Sequence, residues 1–147
     1  MVTSLPLEGL CILAVDDDPD SLLLLTVILE SQGAKVIPVA SAHTALEAVR
    51  LERPDLLISD IGMPEEDGLV LIRNIRALNK AQGGAIPAIA LSALEPELCQ
   101  PQCLAAGFQH YVAKPVDPED LIAIILDIQT LPSKRLQSFD SKLQSVA

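Results

Sequence analysis

Aromatic side chains are scarce in this chain. Tryptophan is absent, and Phe108, Tyr111 and Phe139 are the only aromatics among 147 residues. Half the sequence is nonetheless apolar, so a core has to be built mostly from leucine, isoleucine, valine and alanine. Cysteine is sparse as well. Three thiols, Cys11, Cys99 and Cys103, argue against a disulfide framework and fit a reducing compartment. Cys99 and Cys103 with His110 lack a fourth ligand, and their spacing is poor for zinc. Basic residues number 10 against 20 acidic ones, a formal charge of −10. So acidic a domain lacks the basic patch that a nucleic-acid backbone requires, and anionic lipid repels it. Long apolar runs are missing too. The longest, Gly9–Val15 and Leu22–Leu29, fall far short of the ~20 residues of a spanning helix. No Lys or Arg precedes Lys35, so the basic start of a secretory signal is absent. The expectation is a cytoplasmic protein without membrane or nucleic-acid partners.

What is present is alternation. Leu10–Val15 is a continuous apolar run that stops at Asp16, as suits a strand buried on both faces. A helix follows from Pro19 to Gln32, with Gly33 beyond its end. Lys35–Val39 reads as a strand, and Ser41 can cap a helix to about Leu51. Leu56–Ser59 is a buried strand ending at Asp60, and Asp67–Leu78 a helix before the Gly83-Gly84 break. Ile86–Leu91 and His110–Ala113 are further strands. The helix between them, about Pro96–Ala106, should be shortened or kinked by Pro101. Asp117 or Pro118 opens the last helix, to about Gln129. Five strand–helix units imply a doubly wound α/β fold with a parallel sheet. Residues 8–130 form the domain, 1–7 a lead-in, and 131–147 a polar tail or linker.

In such sheets ligands bind outside the carboxyl ends of the strands. Asp16-Asp17-Asp18, Asp60, Ser92 and Lys114-Pro115 all fall at those ends. Carboxylates crowded together repel unless a cation lies among them. A hard oxygen site with few protein ligands suits Mg²⁺. A hydroxyl and an ammonium at the same edge suit a phosphoryl group. An EF-hand calcium loop does not fit, because Ser21 and Val27 occupy the positions of its glycine and glutamate.

Val15-Asp16-Asp17, Asp60-Ile61-Gly62-Met63-Pro64 with Asp67-Gly68, Leu91-Ser92-Ala93 and Lys114-Pro115 together resemble the receiver domain of two-component response regulators. The resemblance spans about residues 8 to 130. It implies a flavodoxin-like (βα)5 fold with strand order 2-1-3-4-5. Asp60 would accept a phosphoryl group from a phosphohistidine. Asp17, Asp60 and the backbone carbonyl of Gly62 would ligate Mg²⁺ (or Mn²⁺), with Asp16 acting through water. Ser92 would hydrogen-bond the acylphosphate, Lys114 would pair with it, and Tyr111 would be the aromatic switch. The Lys114–Pro115 bond would be cis. The partner would be a histidine kinase or histidine phosphotransfer domain. The only reactions would be self-phosphorylation and autodephosphorylation at Asp60. Pro6–Leu10, Ile86–Leu91, Gly107–Gln109 and Lys114–Val116 look most like receivers of hybrid sensor kinases, and both a stand-alone receiver and part of a larger protein remain open.

Two other readings stay beside this one. An aspartyl phosphohydrolase would use Asp16 as nucleophile, although Pro19 stands close behind the acids where haloacid-dehalogenase-type enzymes differ. A receiver could also bind a partner without phosphorylation. On the final helix, Leu121, Ile125 and Ile128 supply the core stripe. Ile122, Ile124 and Leu126 are apolar beyond it, and the helix has acids but no Lys or Arg. A monomer that docks another protein through this helix is the expectation.

Overall fold

The computed structural model describes residues 5–62, 67–93 and 96–129. The expected tail and the Met63-Pro64 part of the third motif lie outside these residues. Five parallel strands, β1 (Cys11–Val15), β2 (Lys35–Val39), β3 (Leu56–Asp60), β4 (Ala88–Ser92) and β5 (His110–Ala113), form one sheet in the order β2-β1-β3-β4-β5. The helices are α1 (Pro19–Ser31), α2 (Ala42–Glu52), α3 (Gly68–Arg76), α4 (Pro96–Ala106) and α5 (Pro118–Gln129). This is the flavodoxin-like architecture.

Side chains alternate across each strand, and the two faces build two cores. Leu13, Val15, Leu57, Ala88 and Ala90 face α2, α3 and α4. Ile12, Ala14, Leu56, Ile58, Ile89, Leu91 and Val112 face α1 and α5. The central strands β3 and β4 are buried along their whole length, which is why their sequence reads as an unbroken apolar run. β2 lies at an edge, where Pro38 removes no needed ladder donor. The first core also takes in Cys99 and Cys103, so these thiols are packing groups. Burial pushes Cys103 up to about 11. Cys11 is only half-buried and is less of a core residue than its place in strand one suggested.

Local chemistry sets the boundaries. Asp18 caps α1, accepting the Asp20 N–H at 3.3 Å and the Ser21 hydroxyl at 2.7 Å, with Pro19 in the first turn. Ser41 caps α2 and Asp67 caps α3. Three expectations shift. The third helix stops at Arg76, because Asn79 caps a separate 3-10 turn, Lys80–Gln82, through a reciprocal capping box. The fourth strand starts at Ala88, since Pro87 offers no N–H and Ile86 gives its own to Gly83 O. Pro101 does not shorten α4, which runs through it over its expected 11 residues.

Arg76 holds the far end of the sheet together. Its guanidinium donates to the Gly107 carbonyl at 2.7 Å and the Gly84 carbonyl at 2.9 Å. Gln109 Oε1, within 3.3 Å of the same guanidinium, also accepts the Ala88 N–H. The lead-in is part of the same packing: Leu7 is 1% exposed in the core beside α1 and α5.

The apolar surplus sits on a different helix from the one expected. On α5 the stripe Leu121, Ile125 and Ile128 is buried as read, but Ile122 and Ile124 also pack partly against the core. Leu126 alone of the three is a large exposed hydrophobic. On α1, by contrast, Leu23, Leu24 and Val27 are 63%, 60% and 54% exposed.

Candidate metal and phosphoryl site

The carboxyl ends of β1, β3, β4 and β5 bring the expected residues to one edge. Asp16 follows β1 and is 2% exposed, and Asp60 closes β3 at 7%. One carboxylate oxygen from each of Asp16, Asp17 and Asp60 lies within 4.8 Å of the others, and Asp17 is the exposed member. Among the described residues this is the one group of three or more acidic, histidine or cysteine side chains so placed. Its donors are all hard oxygens, and its partial exposure leaves room for water, so the set fits a small divalent cation.

Lys114 projects over the buried acids. Its ammonium donates to Asp16 Oδ2 at 3.0 Å and lies 3.4 Å from Asp60 Oδ1. Asp16 uses its other oxygen, Oδ1, to accept the Asp18 N–H at 2.9 Å. Asp60 Oδ1 also takes the Gly62 N–H, at 3.4 Å. Burial raises the Asp60 carboxyl above its usual value; Lys114 opposes this and Asp16 adds to it. Burial pulls Lys114 down, but its hydrogen bond to Asp16 and the charges of Asp60 and Asp16 outweigh that, so the ammonium is held above its usual value.

The framework around Asp60 is made by backbone. Ile61 N–H donates to Leu91 O at 3.0 Å, and the buried Ser59 hydroxyl donates to Asp60 O at 2.9 Å. Lys114 N–H donates to Ser92 O at 2.7 Å, joining the lysine to the end of β4. Ser92 is buried at 2% exposure beside this edge. Tyr111 is half-buried against the first core, in register with Ala90. The Lys114–Pro115 bond is cis, as the resemblance implied.

Two glycines exchange importance. Among the described residues a Cβ on Gly62 would meet nothing within 4 Å, so no described neighbour demands a glycine there. A Cβ on Gly68 would lie 2.7 Å from both Asp60 O and Ile61 Cα. The first turn of α3 presses directly on the backbone of Asp60, and Gly68 N–H donates to Ile61 O at 3.2 Å. In the sequence Gly68 stands out only as part of the Asp67-Gly68 motif. Its position one residue after the cap Asp67 was the available signal.

Residues 12–126 match the sequence profile of the response regulator receiver domain. The chain belongs to that family. The receiver is similar to an uncharacterized 14.6 kDa protein in the sodA1 3′ region of Leptolyngbya boryana, 46% identical over 114 residues, covering 78% of this chain and 86% of that one. It is 34% identical over 116 residues to the sensor histidine kinase GacS of Pseudomonas protegens, covering 78% of this chain but 13% of the kinase. Among solved structures it superposes, with a TM-score of 0.70 and 34% identity, on the receiver domain of the sensor histidine kinase PA1611 of Pseudomonas aeruginosa, covering 80% of this chain and 94% of that one. That structure has a magnesium ion coordinated in its active-site cleft. The chain is thus a receiver domain of two-component signalling. No described helix is long and apolar enough to cross a membrane.

Proposed function

We propose that this receiver takes a phosphoryl group from a phosphohistidine onto Asp60, with Mg²⁺ held by Asp17, Asp60 and the Gly62 carbonyl, and with Asp16 behind it through water. The observation that carries the reading is the convergence of Lys114, Asp16 and Asp60 within hydrogen-bonding reach at one sheet edge. Asp16 commits one oxygen to Lys114 and the other to the Asp18 N–H. That favours Asp60, at the end of the central strand β3, as the nucleophile. A bound Mg²⁺ supplies positive charge against the phosphoryl oxygens.

The chain's own residues do the rest. An Asp60 carboxylate oxygen attacks phosphorus, the phosphorus–nitrogen bond breaks, and the imidazole leaves with the electron pair. Lys114 moves its attraction from the carboxylates to the new phosphoryl group. Ser92 donates a hydrogen bond to it. Tyr111, already half inside the core, turns further inward and changes the α4–β5–α5 face. The added charge of about −1.5 to −2 gives the switch its differential interaction. The chain acts as a cytoplasmic monomer whose partner is a histidine kinase or phosphotransfer domain, and it catalyses nothing beyond its own phosphorylation and dephosphorylation.

The test is labelling by a small acyl phosphate with Mg²⁺, read by intact-protein mass. One phosphoryl group is expected, and Asp60→Asn should abolish it. Unchanged labelling of Asp60→Asn, or labelling mapped to Asp16, overturns the assignment.

A further inference from the structure

Ser59 puts a hydroxyl into an apolar layer. It is fully buried, at 0% exposure. Its neighbours across the sheet are Val15 on β1 and Ala90 on β4, and both belong to the first core. The other β1 and β3 side chains of that core are Leu13 and Leu57. A valine or isoleucine would continue the pattern and suit a strand. A buried hydroxyl costs stability unless it is hydrogen-bonded.

The bond that it makes goes to the next residue. Ser59 Oγ donates to Asp60 O at 2.9 Å. The peptide joining Asp60 to Ile61 is trans, so its N–H and C=O point opposite ways. Ile61 N–H points toward β4, where it donates to Leu91 O at 3.0 Å. The Asp60 carbonyl therefore points toward the β1 side. There the ladder ends one residue earlier, at the pair Val15 and Ser59. The next β1-side amide, Asp16 N–H, donates instead to Val39 O at 3.2 Å. The Ser59 hydroxyl thus stands in for a ladder donor that β1 does not supply. Gly68 closes over the same oxygen from α3, with room for no Cβ between them.

This one peptide links two parts of the proposed site. On one side is the Asp60 carboxylate, and one residue beyond Ile61 is the Gly62 carbonyl. Turning the peptide plane changes ψ of Asp60 and φ of Ile61, and so shifts the attacking oxygen against a metal-binding one. With its oxygen held by Ser59 and its nitrogen by Leu91, the plane cannot turn without breaking a bond. Misplacement by about 1 Å can cost about 100-fold in rate.

We propose that Ser59 is a positioning residue for phosphoryl transfer, fixing the peptide after Asp60 through its hydroxyl; this rests on Asp60 being the phosphoacceptor. The test compares the parent with Ser59→Ala and Ser59→Thr, using a small acyl phosphate at saturating Mg²⁺ and counting hydroxylamine-labile label by intact-protein mass. Ser59→Ala should label about tenfold slower. Ser59→Thr keeps the hydroxyl and should recover most of the rate. Ile75→Val alters the buried face of α3 away from this edge and should label at the parent's rate, which separates positioning from lost stability. A second measurement needs neither metal nor donor. By NMR, Ile61 N–H should exchange about tenfold faster in Ser59→Ala, while Leu57 N–H, bonded to Pro87 O on the same strand, keeps the parent's rate. Parental labelling by Ser59→Ala overturns the proposal. So does unchanged Ile61 exchange, equal slowing by Ile75→Val, or no recovery in a Ser59→Thr chain of parental Tm. A parent chain that takes no label is a different result: it overturns the phosphoacceptor reading itself, and with it any role of Ser59 in transfer.

Discussion

The ammonium of Lys114 stands 3.4 Å from the carboxylate of Asp60, and the same ammonium is 3.0 Å from Asp16. One cation thus holds two buried acids that would otherwise repel. Lys114→Ala should leave that pair unneutralised and destabilise the metal-free chain by on the order of 1–3 kcal/mol, between the values for exposed and buried pairs. Added Mg²⁺ should recover most of the loss, because the variant removes no proposed metal ligand. Labelling by a small acyl phosphate should slow. Denaturant melts with and without Mg²⁺ check the first two points, and a labelling rate equal to the parent's would contradict the third.

Mg²⁺ alone should stabilise the protein. Binding to the native state only adds about 2.7 kcal/mol at 100 times Kd. Asp17 is the exposed acid of the cluster, so Asp17→Asn should fold normally and lose most of the Mg²⁺-dependent rise in Tm. A melt insensitive to millimolar Mg²⁺ in the parent chain would sink the metal site.

Acid pH gives a further check. The Asp60 carboxyl is raised above 3.8, with burial as the main cause. A raised acid gives up its proton more readily in the unfolded chain than in the folded one. Its ionisation therefore costs native stability as pH rises from 3.8 through the folded value. Asp60→Asn has no such ionisation. In metal-free buffer the stability of Asp60→Asn relative to the parent should increase with pH across that window. A constant or falling difference would show that Lys114 overcompensates for the burial.

Gly68 should tolerate no side chain. The atoms nearest an added Cβ include the Asp60 carbonyl and Ile61 Cα, both at 2.7 Å, and backbone cannot swing aside. Gly68→Ala should destabilise by about 1–3 kcal/mol as an overpacked site does and slow Asp60 labelling. Gly62→Ala, with no described neighbour within 4 Å of the added Cβ, should leave stability within about 0.5 kcal/mol. Equal effects of the two substitutions would refute this contrast.

The strand–helix alternation and the acids at the strand ends were legible because each depends on short-range pattern. Continuous apolar runs gave β1, β3 and β4, and the abrupt Asp16 and Asp60 marked their carboxyl ends. What escaped depended on distant neighbours. Nothing local in Arg76 reveals that it reaches the Gly107 carbonyl, and the place of Gly68 just after the cap Asp67 marks a tight entry to α3 without naming the strand pressed against it. Periodicity places the apolar surplus on α5 because it says which positions are apolar and not what covers them. Ile122 and Ile124 find cover in the core, whereas Leu23, Leu24 and Val27 do not among the described residues.

Leu7 bears on modularity. Its side chain is buried in the core beside α1 and α5, its N–H donates to Gln32 O, and Gly33 packs so closely that an added Cβ would meet Leu5 Cβ at 2.9 Å. A unit excised or transplanted between proteins therefore has to carry at least Leu5 and Leu7 ahead of the first strand. A graft that splices at residue 8 would carry every residue of the proposed site and still arrive with a hole where a fully buried leucine belongs, a defect worth about 2–5 kcal/mol.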